Sequence, residues 1–103
     1  MTDNDDPIVI RPDSIAARLL PQFLDRRIKD LAVIDEELAR NGFRVIERLG
    51  HNLKGVGRSY GFDGISDIGA AIEEAGRKQD ADEIRAQASA LVEYLGRVRV
   101  VPA

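Results

Sequence analysis

The sequence predicts an all-α protein, an antiparallel four-helix bundle with a short N-terminal capping helix. Three observations point to this fold. Apolar residues recur every three or four positions in four long segments, which is typical of amphipathic helices. No segment alternates regularly between apolar and polar residues, so strands are not expected. The connections between the long segments are short, which favours an up-down-up-down order of neighbouring helices.

The capping helix is predicted near the start of the chain. Residues 8–10 are a short apolar run that can lie against the bundle. Asp13 or Ser14 can cap a short helix over residues 15–20, because their side chains accept hydrogen bonds from the first free amides. Pro21 has no amide proton and a fixed φ, so we expect the next helix to begin there.

The first long helix is predicted over residues 21–40. It is followed by Gly42, which can take the left-handed conformation after the last helical turn. A glycine-rich turn separates two later helices, and Asp63 in that turn is a possible cap. The other long helices are expected over residues 43–60, over residues 64–78 and from residues 80–82 onward.

Composition excludes several classes of protein. The chain has 103 residues, and we expect residues 1–10 to be a flexible acidic tail and residues 11–100 to form one domain. A net charge of -3 lacks the basic excess of a nucleic-acid binder. With no cysteine and one histidine, neither a disulfide nor a zinc site is expected. No apolar stretch is long enough to span a membrane and no signal peptide is recognisable, so we expect a cytoplasmic protein.

His51, the only histidine, lies on the polar face of the predicted 43–60 helix. At about 100° per residue it stands about 200° from Leu53, the centre of that helix's apolar stripe, so it points away from the core. The same geometry places four cations on its side of the helix, with Glu47 as the one acid among them. The cations are Arg44, Arg48, Lys54 and Arg58.

This arrangement suits a histidine that accepts a phosphoryl group. Neutral imidazole has a nucleophilic nitrogen, and basic neighbours can hold phosphoryl oxygens through charge-assisted hydrogen bonds. Lys54, one turn on, is the best placed of them. Glycines inside a helix each cost roughly 1 kcal/mol relative to alanine. Gly55 leaves a notch beside His51 into which a partner can fit, and Gly57 can allow close helix packing. A solvated surface histidine on a solvated basic face is the alternative.

Residues 51–55 resemble the H-x-L-K-G signature of histidine phosphotransfer (HPt) domains. The similarity continues at the family's spacing through Gly61, Ile65, Ile68, Ile72 and Glu73. The resemblance implies a four-helix bundle that exchanges phosphate with an aspartate on a receiver domain, which supplies Mg²⁺. It also implies that His51 is the phosphorylation site, Lys54 its electrostatic partner and Gly55 the clearance residue. Arg58 stands where family members commonly have a small residue.

We therefore expect a stand-alone phosphocarrier rather than an enzyme. Its partners would be response-regulator receiver domains and a hybrid histidine kinase, with no nucleic acid and no membrane. It would be a monomer without a metal or cofactor of its own, and Lys54, Gly55, Arg48 and Arg58 would contact the phosphate or the partner. The alternatives are a pseudo-HPt module that docks without carrying phosphate, an inert helical scaffold, and an enzyme with His51 as general base. That enzyme needs a pocket and an orienting carboxylate; the convex helix face offers no obvious pocket, and Glu47 is the only acid placed there.

Overall fold

The computed structural model describes residues 6–10 and 14–100 of the chain. These residues contain four helices and two short strands, joined by short turns. The helical bundle and its four long helices are confirmed, whereas the antiparallel order of the whole bundle stays a prediction. The elements, in chain order, are β1 (Ile8–Ile10), α1 (Ile15–Ala39), α2 (Phe43–Tyr60), α3 (Asp63–Arg77), α4 (Ala81–Arg97) and β2 (Val98–Val100).

The predicted break before Pro21 is wrong, because α1 runs through this proline as one helix of 25 residues. A separate capping helix is therefore not formed. Ser14 caps α1 as expected, since its Oγ accepts a hydrogen bond from the Ala17 amide at 3.0 Å; Asp13 lies outside the described residues. An interior proline costs about 3 kcal/mol. We attribute its tolerance here to the burial of Phe23 and Ile34 further along the helix.

The turns differ from the predictions in two details. Asn41, and not Gly42, has the left-handed conformation between α1 and α2, with φ 58° against -80° for Gly42. Asparagine tolerates this region better than most residues, so the glycine is not needed for it. Asp63 is the first residue of α3 rather than its cap, and Phe62 precedes the helix without a capping hydrogen bond from its side chain. The predicted turn at Gly61 does form, with φ 81°.

The expectation of no strands is also wrong. β1 pairs in parallel with β2, with Ile8 opposite Val98 and Ile10 opposite Val100. Ile8–Ile10 therefore belong to a sheet and not to a flexible tail, while residues 1–5 lie outside the described part. Strands of three residues are too short to show an alternating pattern. Their β-branched residues are the only sequence signal for them.

The core is built from fully buried branched side chains of all four helices. Burying each of these removes apolar surface worth about 1.5–3 kcal/mol from water. Val98 of β2 is also buried, so the strand pair closes over one part of this core. The fully buried residues are Ile34, Ile46, Leu53, Ile65, Ile72, Ile84 and Leu91.

Helices α2 and α3 approach until their backbones touch. A Cβ added at Gly50 would lie 2.8 Å from the Gly69 carbonyl oxygen, and one added at Gly57 would lie 2.8 Å from the Phe62 carbonyl oxygen. Both distances are shorter than real Cβ contacts, so side chains at these positions would force the helices apart. The predicted packing role of Gly57 is confirmed. The two helices form a hairpin whose close contact positions the site described next.

Candidate functional site

His51 lies in the middle of α2 with 64% of its side chain exposed. Leu53, on the opposite side of the helix, is 1% exposed and belongs to the core. The helix is therefore anchored by its apolar face while the imidazole stands in solvent. This is the orientation that the helical periodicity predicts.

Glu73 of α3 connects the two most prominent predicted residues of the site. Its Oε2 lies 3.0 Å from Nδ1 of His51, and its Oε1 lies 3.1 Å from Nζ of Lys54. An ionised carboxylate only accepts hydrogen bonds, so Nδ1 must carry a proton. In the neutral imidazole the other nitrogen, Nε2, is then unprotonated and nucleophilic.

The hairpin of α2 and α3 explains why Glu73 reaches His51. The two residues stand at equal distances along the chain from Phe62, in the turn between the helices. Gly50 precedes His51, and a Cβ added there would lie 2.9 Å from the Glu73 Cα. The missing side chain of Gly50 thus allows the backbone of Glu73 to approach within reach of the imidazole.

A second contact across the hairpin orients the turn that carries Lys54. The Ser66 hydroxyl donates a hydrogen bond to the Lys54 carbonyl oxygen at 2.9 Å, and Ser66 is buried. A Cβ added at Gly69 would lie 2.9 Å from the Leu53 carbonyl carbon. The backbone of this turn is therefore held by α3, while the Lys54 side chain extends to Glu73 at the surface.

The environment of Glu73 keeps it ionised. The hydrogen bond from Lys54 is the main cause that lowers the pKa of Glu73 below its ordinary value of 4.5. Burial raises the pKa and opposes this effect, and the hydrogen bond to His51 lowers it further. At neutral pH Glu73 is therefore a carboxylate, and it lies between the side chains of His51 and Lys54.

Sequence reasoning missed the role of Glu73. It named Glu47 as the only acid on the face of His51 and noted Glu73 only as the last residue of a family pattern. The structure places both near His51, where they line a shallow cleft of about 300 Å³ with Arg44 and Arg48. The signal that could have found Glu73 is its symmetrical position across the turn from His51.

A wider groove of about 680 Å³ lies between α1 and α2, on the other side of His51. The expectation that the helix face offers no pocket is therefore wrong. Arg48 and Gly55 line this groove together with His51. A Cβ added at Gly55 would meet no atom within 4 Å, so nothing in the fold itself requires glycine there.

Arg58 is the predicted site residue that the structure does not bring to His51. It is exposed in the last turn of α2 and lines neither of the two depressions beside the imidazole. Its position is about 10 Å along the helix axis from His51, given the rise of 1.5 Å per residue. Its contact with phosphate or partner stays a prediction.

The described residues contain no group of three or more His, Cys, Asp or Glu side chains that could hold a metal ion. The expectation that the chain carries no metal or cofactor stays a prediction. Within residues 6–10 and 14–100, no helix combines the length and apolar character needed to cross a membrane.

Comparison with protein families gives one result that covers most of the chain. The family model described as Hpt domain matches residues 18–100, from the end of the first turn of α1 to the end of β2. The match includes every residue of the site described above. Comparison with curated proteins and with solved structures gives no match.

Proposed function

Because the chain belongs to the Hpt domain family, whose members are phosphotransfer modules of two-component signalling, we propose that it carries a phosphoryl group on His51. The group would pass between His51 and aspartates of receiver domains in a phosphorelay. The observation that supports this most directly is the exposed imidazole whose Nδ1 is bound to Glu73, since it leaves Nε2 free to react.

In the proposed reaction, the lone pair of Nε2 attacks the phosphorus of a receiver aspartyl phosphate. The N–P bond forms as the P–O bond to the aspartate breaks, and the aspartate leaves as a carboxylate with the bonding electron pair. The imidazole gains positive charge during this step, and the Glu73 carboxylate at Nδ1 stabilises that charge. The reverse reaction returns the phosphoryl group to a receiver.

In this proposal Lys54 binds the phosphoryl group once it is on His51. Its Nζ is held by Glu73 next to the imidazole, and its side chain is 35% exposed. When His51 receives the phosphoryl group, the Lys54 ammonium can hydrogen-bond its oxygens. Mg²⁺ would be supplied by the receiver domain. The chain itself would act as a monomeric carrier whose partners are receiver domains and a hybrid histidine kinase.

Two alternative functions, a docking module without phosphate and an enzyme with His51 as general base, fit the site less well. A pseudo-HPt module that only docks has no use for the hydrogen-bonded set of His51, Glu73 and Lys54. The general-base alternative is helped by the contact of the Glu73 carboxylate with His51 and by the groove beside the imidazole. However, His51 is open to water, since 64% of its side chain is exposed. Enzyme sites that act on small substrates usually exclude water. The carrier function therefore accounts best for the site.

The test is incubation of the chain with a receiver domain that carries ³²P on its aspartate. We expect label to appear on the chain as acid-labile, base-stable phosphate, and His51→Gln to abolish it. His51 contributes nothing to the core, so circular dichroism of the variant should match the wild type. Undiminished labelling of His51→Gln would contradict the assignment of His51. A wild-type chain that takes no label from any receiver would contradict the carrier function.

A further inference from the structure

The groove between α1 and α2 gathers arginines on a chain whose net charge is -3. Arg26 and Arg27 reach it from α1 and Arg48 from α2, against a single acid, Asp30. Asp30 is held by Arg27, whose Nε lies 2.7 Å from its Oδ2. Among the described residues, no carboxylate forms an ion pair with Arg26 or Arg48. The groove therefore presents uncompensated positive charge beside His51.

The Arg27 side chain, which carries part of this positive charge, is held in place by its neighbours. Its side chain is only 9% exposed, and its guanidinium lies 5.0 Å from the centre of the Phe23 ring. The ion pair with Asp30 and the stacking offset the cost of burying the cation. Arg27 also lines the groove, so part of the positive charge there is held in place by contacts within the fold.

The cleft on the other side of His51 has a different charge. There Glu47 and Glu73 stand beside Arg44 and Arg48, so acids and bases balance. The groove between α1 and α2 also has apolar walls, including Val45, which is 40% exposed. Positive charge combined with apolar surface fits a protein segment that carries both carboxylates and apolar side chains.

We propose that an acidic segment of the receiver partner docks in the groove between α1 and α2, and that Arg26 and Arg48 select it. This inference rests on the proposed function, since it assigns a binding surface to the receiver. Within the described residues, Arg26 forms no hydrogen bond or ion pair with His51, Lys54 or Glu73, so we expect it to act on docking and not on the transfer of phosphate. Changing it should alter the rate of encounter while the rate within the docked complex stays the same.

The experiment compares Arg26→Glu with Arg18→Glu. Both residues are exposed arginines of α1 without a carboxylate partner among the described residues, but Arg18 lies about 12 Å further from the groove along the helix axis. The probe is a receiver domain phosphorylated with acetyl phosphate, chosen from the same genome for its transfer to the wild-type chain. We expect Arg26→Glu to lower the second-order rate constant of transfer about tenfold at low salt, with the rate at saturating receiver unchanged. Arg18→Glu should stay within about twofold of the wild type.

Direct labelling with phosphoramidate separates the two proposals, because this donor needs no docking surface. The P–N bond of the donor breaks, the bond to Nε2 forms and ammonia leaves. Arg26→Glu should label as the wild type does. If neither donor labels the wild type, the proposed function fails and the groove proposal with it. If the wild type is labelled but both variants transfer alike, or if Arg26→Glu also loses labelling by phosphoramidate, only the groove proposal is overturned.

Discussion

Glu73 is the residue that connects the side chains of the candidate site. It contacts the imidazole with one oxygen and the Lys54 ammonium with the other. These contacts fix which imidazole nitrogen is protonated and hold the lysine where a phosphoryl group would arrive. A single side chain of α3 thereby orders two side chains of α2.

Replacing Glu73 by glutamine tests this role. The amide can still accept a hydrogen bond from Nδ1, but it cannot stabilise positive charge on the ring as a carboxylate does. A charged hydrogen bond is stronger than a neutral one by about 1 kcal/mol, so we expect saturated phosphotransfer to slow by about fivefold. The measurement is the transfer rate at saturating receiver. An unchanged rate would show that the carboxylate has no part in the reaction.

The same variant gives a prediction about pH. The pKa of Glu73 is lowered in the folded protein, so the folded state favours its ionised form. The resulting stability is fully present above the ordinary pKa of 4.5 and is lost as the pH falls through the lowered value. The free energies of unfolding of wild type and Glu73→Gln, measured in urea, should therefore converge on acidification below that pH. A gap that is constant between neutral and acid pH would contradict the ion pair.

Two glycines of α2 have opposite functions at the scale of the element. Gly57 lies in the contact with α3, where an added Cβ would meet the backbone of Phe62 and Ser66. Gly55 faces the groove beside His51 and has open space around it. Gly57 therefore allows the hairpin to close, whereas Gly55 leaves room for a partner protein beside His51.

Matched substitutions should separate these functions. Gly57→Ala should lower the free energy of unfolding by about 1–3 kcal/mol, because the backbones must separate. Gly55→Ala should raise it by up to about 1 kcal/mol through helix propensity. Gly55→Gln should hold the melting temperature and slow transfer by obstructing the partner. Calorimetry and transfer rates check these outcomes, and a loss of stability in Gly55→Gln would mean that this glycine serves packing.

Across the whole molecule, the structural features that can be predicted from the sequence are those that depend on the local pattern of apolar residues and glycines. The bounds of α2 agree with the prediction because its apolar stripe is regular and Gly61 ends it. The continuity of α1 through Pro21 was missed because packing of distant residues outweighs a local rule. Glu73 was missed because its contact with His51 depends on how closely two helices approach. That distance is set by glycines on both helices, which a helical-wheel analysis of α2 alone does not include.

The pairing of β1 with β2 brings the two ends of the described chain into adjacent strands. We therefore expect the fold to tolerate circular permutation, in which the two ends are joined and the chain is opened elsewhere. A flexible linker of about six residues spans up to about 20 Å and can join residue 100 to residue 6. New ends can then be opened between Lys78 and Gln79, in the connection of α3 to α4. Such a circular permutant keeps the hairpin of α2 and α3 intact.

We expect this permutant to fold and to accept phosphate on His51 at the wild-type saturated rate. A control permutant opened between Gly61 and Phe62 cuts the hairpin turn, so it should lose alignment of Glu73 with His51 and transfer more slowly. Circular dichroism and transfer rates distinguish the two. If both permutants transfer equally well, chain continuity between α2 and α3 is unimportant for the site. If the outcome is as expected, the reactive geometry depends on an unbroken connection between α2 and α3, and not on the original order of the other elements.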